Sequence, residues 1–156
     1  TKLTDHGGQA LAEGLKSPEL NDLELHLPDT AVGDNTAIAL GSSLRACDKL
    51  EKAKVLLCSS QLTDHGGQAL TEGLKCPELR DLELVLHDTA VGDNTAIALG
   101  SSLRACDNLK RALLTLYSTQ LTDHGGQALS EGLKCLELRD LVLVLHDTTV
   151  GDNTAI

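Results

Sequence analysis

The sequence predicts an α/β solenoid, with parallel strands stacked along one side, helices along the other, and one strand and one helix per unit. Three observations predict it. The nine residues Leu62-Thr63-Asp64-His65-Gly66-Gly67-Gln68-Ala69-Leu70 also stand at Leu3 to Leu11 and at Leu121 to Leu129, a spacing of 59 each time. A fixed period of this kind marks a tandem array, in which each unit buries its apolar face against its neighbours. Each period also splits into two related halves, because Val32-Gly33-Asp34-Asn35-Thr36-Ala37-Ile38-Ala39-Leu40 aligns with the nine residues from Leu62. Leu20, Leu50, Leu79, Leu109 and Leu138 then open successive units at steps of 30, 29, 30 and 29. Finally, a run of period two is followed in every unit by a helical stripe. Thr1 to Ile156 is thus one array of about five alternating 29- and 30-residue units.

In chain order, Thr1 to Lys16 is a helical half-unit without its strand. Leu23 to Leu27 alternates apolar and polar residues, as a strand with one buried face does. The same alternation recurs at Ala53 to Leu57, Leu82 to Leu86, Ala112 to Leu116 and Leu141 to Leu145. Between these strands, Asp34, Asp64, Asp93 and Asp123 stand where helix N-caps belong. Asp93 to Arg104 shows the stripe most plainly, with Ala96, Ile97, Leu99 and Leu103 at helical spacing. Gly66 and Gly67 are poor helix formers, and in an array they let neighbouring helices approach closely. Gly151 to Ile156 begins a helix that the sequence does not finish. Both ends keep the internal consensus (Leu3 and Leu11, Leu143 and Leu145) where native arrays carry polar caps. The expectation is a fragment lacking both caps, whose exposed ends self-associate.

Composition narrows the function. Apolar residues make up 41% of the chain, nearly all Leu, Ala, Val and Ile, and Tyr117 is the single aromatic residue. A net charge of −10 disfavours nucleic acid, which is bound by neutralising phosphates with Lys and Arg, and disfavours anionic membranes likewise. No apolar run reaches about 18 residues, so no segment is expected to span a bilayer. Of the five cysteines, Cys47 recurs as Cys106 and Cys76 as Cys135, while Cys58 stands alone. An odd number without a C-x-x-C spacing argues against zinc or a disulfide framework. The expectation is buried free thiols in a reducing compartment.

A strand and a helix in every unit of about 20–29 residues is the signature of a leucine-rich repeat horseshoe, strands concave and helices convex. Leu50, Ala53, Val55 and Cys58, followed by Leu62-Thr63-Asp64-His65-Gly66, Leu70 and Leu74, resemble the ribonuclease-inhibitor type of leucine-rich repeat, whose units alternate in two kinds. The recurring L-T-D-x-G looks most like the C-terminal repeats of NOD-like receptors. Two departures accompany the resemblance: extra residues lie between Leu57 and Leu62, and the ladder position reads Pro28, Cys58, His87, Tyr117 and His146. The resemblance implies a cytoplasmic, non-catalytic protein-binding module, the sensing or autoinhibitory end of a larger immune receptor. Its rivals are a stand-alone enzyme inhibitor or scaffold of the same fold, and a GTPase-activating repeat protein.

The residues supply no catalytic constellation, cofactor loop or metal site. His87-Asp88 and His146-Asp147 are adjacent in extended segments and point apart, and His6, His65 and His124 fall in first helical turns. Asp93-Asn94 lacks alternating calcium ligands, and Ser101-Ser102 lacks an activating base. The concave face is more informative. Its first outward row is Asp22, Lys52, Asp81, Arg111 and Asp140, alternating in charge strand by strand. The second is Glu24, Lys54, Glu83, Leu113 and Val142, and the third His26, Leu56, Val85, Thr115 and Val144. Exposed Leu56, Val85, Leu113, Val142 and Val144 beside charges look like a protein-binding face. The expected contact residues are Lys52, Lys54, Leu56, Asp81, Glu83, Val85, Arg111, Leu113, Asp140, Val142 and Val144.

Overall fold

The computed structural model describes residues 3–28, 31–58, 61–86, 88–116, 120–134 and 136–145. Strands and helices alternate along them: α1 (Asp5–Glu13), β1 (Asp22–Pro28), α2 (Asp34–Arg45), β2 (Lys52–Cys58), α3 (Asp64–Glu72), β3 (Asp81–Val85), α4 (Asp93–Arg104), β4 (Arg111–Thr115), α5 (Asp123–Lys134) and β5 (Asp140–Val144). The strands form one sheet in the order β1-β2-β3-β4-β5, parallel throughout. Among the described residues each strand pairs only with the strands of adjacent units, and the helix-to-helix contacts likewise run only between adjacent units. The result is a layer of helices over a sheet, built by nearest-neighbour stacking as the 59-residue period predicts.

The core lies between the two layers. Period-two alternation sends Leu23, Ala53, Leu82 and Ala112 inward, followed on the same face by Val55, Leu84 and Leu114. Leu40, Leu44, Leu70, Leu99 and Leu103 descend on them from the helices. Five backbone positions just before the strands are tied in a further ladder: Glu51 N donates to Asn21 O, Arg80 N to Glu51 O, Lys110 N to Arg80 O and Arg139 N to Lys110 O, at 2.7 to 2.9 Å. Every unit therefore starts its strand in the same register as the one before it.

The helix starts correct one sequence expectation. Asp34, Asp64, Asp93 and Asp123 are not N-caps but the first residues of their helices, one position further in. The caps of α2 and α4 are Gly33 and Gly92, which have no side chain to offer. Their free amides are met from the preceding unit instead. Gly33 N and Thr36 N donate to Asp5 Oδ1 at 2.8 and 2.9 Å, and Asn35 N to Asp5 Oδ2 at 3.2 Å. Asp64 receives the same set from Gly92, Asn94 and Thr95. In the other half-period, Asp34 accepts from the amide and hydroxyl of Thr63, and Asp93 from those of Thr122. The first turn of a helix leaves amides unsatisfied and carries positive potential. In α2 and α4 a carboxylate from the preceding unit caps it, whereas α1 and α3 are capped by their own Thr4 and Thr63 hydroxyls. In both kinds of unit the carboxylate fixes the stacking register.

Glycines let the helices come close enough for that exchange. A Cβ on Gly67 would overlap Thr95 Oγ1, and one on Gly73 would overlap the carbonyl oxygen of Gly41. The expectation of close helix approach at Gly66 and Gly67 therefore holds. The expected stripe on α4 holds at Ala96, Leu99 and Leu103, which are buried, but Ile97 turns away from the sheet and is 38% exposed. Its place on the inward face is taken by smaller buried residues, Thr95, Ala98 and Ser102.

Candidate binding face

The sheet face turned away from the helices carries the three outward rows in the register that the sequence predicts. Asp22, Lys52, Asp81, Arg111 and Asp140 are successive pairing partners, as are Glu24, Lys54, Glu83, Leu113 and Val142, and then His26, Leu56, Val85, Thr115 and Val144. Strand spacing of about 4.8 Å brings the charged members of the first two rows within reach of ion pairing. Arg111 Nε lies 3.3 Å from Asp140 and its Nη1 4.0 Å from Asp81. Lys54 Nζ lies between Glu24 at 3.8 Å and Glu83 at 3.6 Å. His26 Nε2 lies 2.9 Å from Glu24. The side chains of Asp22 and Lys52 make no ion pair among the described residues.

The apolar part of the face is narrower than the sequence suggests. Val142 is 51% exposed, and Leu56, Leu113 and Val144 are half-buried, but Val85 is only 9% exposed. Val85 is short and β-branched and is flanked in register by Leu56 and Thr115, so it contributes little contact surface. Thr115 is covered to the same degree. The open apolar strip is therefore Leu113 and Val142 on the second row, with Leu56 and Val144 on the third. Glu24 and His26 belong with the contact residues by position, since both take part in the ion-pair network around Lys54. The row pattern already contained them, at the edge strand.

The remaining candidates resolve into structure. His6, His65 and His124 are exposed in first helical turns. His87, Tyr117, Cys135, His146 and Asp147 lie outside the described residues. Of the ladder positions that are described, Pro28 is exposed and Cys58 half-buried. Ser102, buried, donates to Thr71 O at 2.7 Å, and Asp93 is engaged by Thr122. Cys47, Cys76 and Cys106 are buried free thiols, each donating to a carbonyl of the preceding unit: Leu15 O, Leu44 O and Leu74 O, respectively. Burial pushes the Cys76 thiol up to about 12, with help from neighbouring Cys106, Cys47 and Asp48. Burial raises Cys106 too, with the Asp107 charge adding to it, against a hydrogen bond from the Cys76 backbone that lowers it. No described helix is long and apolar enough to cross a membrane.

The helical side has one feature that the sequence stripe concealed. Ile38 and Ile97, one period apart, are each 38% exposed. They floor two equivalent shallow hollows between α1 and α2 and between α3 and α4. No protein-family model matches this chain.

Proposed function

We propose that this chain is a non-catalytic protein-recognition module, a stretch of leucine-rich repeats of the ribonuclease-inhibitor type that engages its partner through the open, concave face of the sheet. The observation that carries this reading is the juxtaposition of Val142 and Leu113, apolar and accessible, with two registered rows of charge. A charge ladder alone is accounted for by packing between strands, at a few tenths of a kcal/mol per pair. An apolar side chain left half open beside it gains only part of what full burial would give, and such strips rimmed by charges are where proteins dock.

The resemblance to the C-terminal repeats of NOD-like receptors extends this reading to a sensing or autoinhibitory role in a larger cytoplasmic protein. The alternation of two unit types and the recurring Leu-Thr-Asp-His-Gly support it, and the buried free thiols suit a reducing compartment. The test uses proteins retained on the immobilised chain and then purified. Their affinity is compared for the unaltered chain, an open-face variant (Arg111→Glu with Val142→Asp) and a helix-face variant (Ile38→Asp with Ile97→Asp). The reading expects at least a tenfold loss in the open-face variant alone. Equal losses, or loss only in the helix-face variant, would overturn it.

A further inference from the structure

The open face holds two hollows that are copies of each other, and the copies have diverged. The first, about 220 Å³, lies over β2 between Asp22, Glu24, Lys52, Lys54, Asp81 and Glu83. The second, about 230 Å³, lies over β4 between Asp81, Glu83, Arg111, Leu113, Asp140 and Val142. Ala53 and Ala112, 59 residues apart, occupy the same place in the two. One period therefore converts Lys54 to Leu113 and Glu83 to Val142. These are cross-strand partners in both copies, and the Lys54–Glu83 ion pair at 3.6 Å has been exchanged for an apolar pair. Between the segments Leu62 to Ile97 and Leu121 to Ile156, Glu83/Val142 is one of only four differences.

Pairing between strands gives part of the reason for the exchange, since Leu113 and Val142 are apolar cross-strand partners, although Val142, on the last described strand, stays 51% exposed. Recognition gives the rest: identical hollows would accept the same side chain, whereas these two accept different ones. Over β2, four carboxylates face two ammonium groups; Asp22 and Lys52 make no ion pair among the described residues, and even with Asp81 engaged by Arg111 the carboxylates outnumber the cations. That hollow attracts a further cation. Over β4, Leu113 and Val142 offer an aliphatic wall beside an Arg111 already held by Asp81 and Asp140.

We propose that the pair forms a two-point socket for a linear peptide segment of the partner, taking a basic side chain over β2 and an aliphatic side chain over β4. The proposal rests on the open-face reading above. Two strand spacings place the two points about 10 Å apart. A polyproline II segment matches this, since residues i and i+3 share a side at about 9 Å.

The test titrates the full chain with acetyl-Arg-Pro-Pro-Leu-amide and follows backbone amide resonances. The expected result is shifts over β2 and β4, and at least fivefold weaker binding when either Arg or Leu of the peptide becomes Ser. Glu24→Lys should weaken the Arg contact and Val142→Asp the Leu contact, with unchanged thermal melts showing that both variants fold. The decisive variant, Leu113→Lys with Val142→Glu, turns the second hollow into a copy of the first and should switch preference to acetyl-Arg-Pro-Pro-Arg-amide. Absence of peptide binding, shifts centred on Ile38 and Ile97, or indifference to the converted hollow would each overturn the socket. If the socket fails while retained proteins still depend on Arg111 and Val142, protein recognition by the open face stands. If they do not depend on them, both ideas fall.

Discussion

Thr95, in the first turn of α4, is tied twice to the same oxygen of Asp64 on α3, its hydroxyl donating at 2.7 Å and its amide at 2.9 Å to Asp64 Oδ1. The carboxylate of one unit thus caps the helix of the next. Burial works to raise the Asp64 pKa, but the bonds from Thr95, Gly92 and Asn94 outweigh it and hold the carboxyl below its ordinary 3.8. Asp5 is depressed in the same way, burial opposing and the bonds from Thr36, Gly33 and Asn35 prevailing. A carboxylate depressed in the folded state stabilises fully above its unfolded pKa, and that contribution is lost as pH falls through the folded value.

Asp64→Asn should therefore lower stability by about 1 kcal/mol at neutral pH, a charge-assisted set of bonds discounted for partial exposure. Asp64→Ala should cost about 2 kcal/mol, because the amides of Gly92 and Thr95 then lose their acceptor. Urea melts at pH 7 measure both. Repeated below pH 4, the same melts should show the gap between the unaltered chain and Asp64→Asn closing.

Gly67→Ala and Gly73→Ala should each destabilise by about 2 kcal/mol despite the better helix propensity of alanine. The added methyl on Gly67 would overlap Thr95 Oγ1 and come within 2.7 Å of Val91 Cγ1, and that on Gly73 would overlap Gly41 backbone. Gly7→Ala is the control, since there the nearest atom is the end of the Leu3 side chain at 2.9 Å, which can move. A thermal melt that ranks Gly7→Ala worst would refute the close-approach account.

Reversing the ladder cations tests the strand phase. Arg111→Glu removes two ion pairs and sets three acids side by side, so it should cost about 1 kcal/mol, and adding Lys52→Glu should bring the total to between about 1 and 3 kcal/mol. Lys75→Glu and Lys134→Glu, exposed at the ends of helical segments, should cost far less. Equal losses in urea would show that the charged row does not act as a ladder.

Thiol labelling at pH 8 should find Cys58 reactive and Cys76 silent until the chain unfolds. Cys58 is half-buried, whereas Cys76 is buried and its thiol is pushed up to about 12, so almost none of it is the nucleophilic thiolate. Mass spectrometry of the labelled, digested chain reads both sites.

Much of the stacking was legible in the sequence. The 59-residue spacing fixed which strands pair and which residues align, so all three outward rows appear in the predicted register. Phase, however, gives direction and not coverage. Val85 faces outward as expected yet is shielded by its neighbours, and Ile97 belongs to an apolar stripe yet faces away from the sheet. The inter-unit caps were missed because Asp64 looked sufficient as a cap for its own helix. The signal was present in the constant separation of Asp and Thr: 31 residues for Asp5–Thr36 and Asp64–Thr95, and 29 for Asp34–Thr63 and Asp93–Thr122. Every pair of positions one period on keeps its separation, however, so only the structure singles out these pairs as bonded.

Uncovered apolar surface at the first and last described units bears on how the 156-residue chain behaves alone. Leu11 is 44% exposed where its counterpart Leu70 is fully buried, and Leu141 is 38% exposed where Leu82 is fully buried. Self-association at micromolar concentration is the expected outcome in sedimentation velocity. Leu11→Lys together with Leu141→Lys should shift the chain toward monomer, and unchanged association would exclude these ends as its cause.

Recognition of a protein by the open face can be read from amide hydrogen exchange of the chain in complex with a purified binding partner. Exchange should slow on β2 to β5, from Lys52 to Val144, at the strand residues of the charged and apolar rows, with α2 and α4 unchanged. Protection confined to the helices around Ile38 and Ile97, with the strands exchanging as in the free chain, would contradict it.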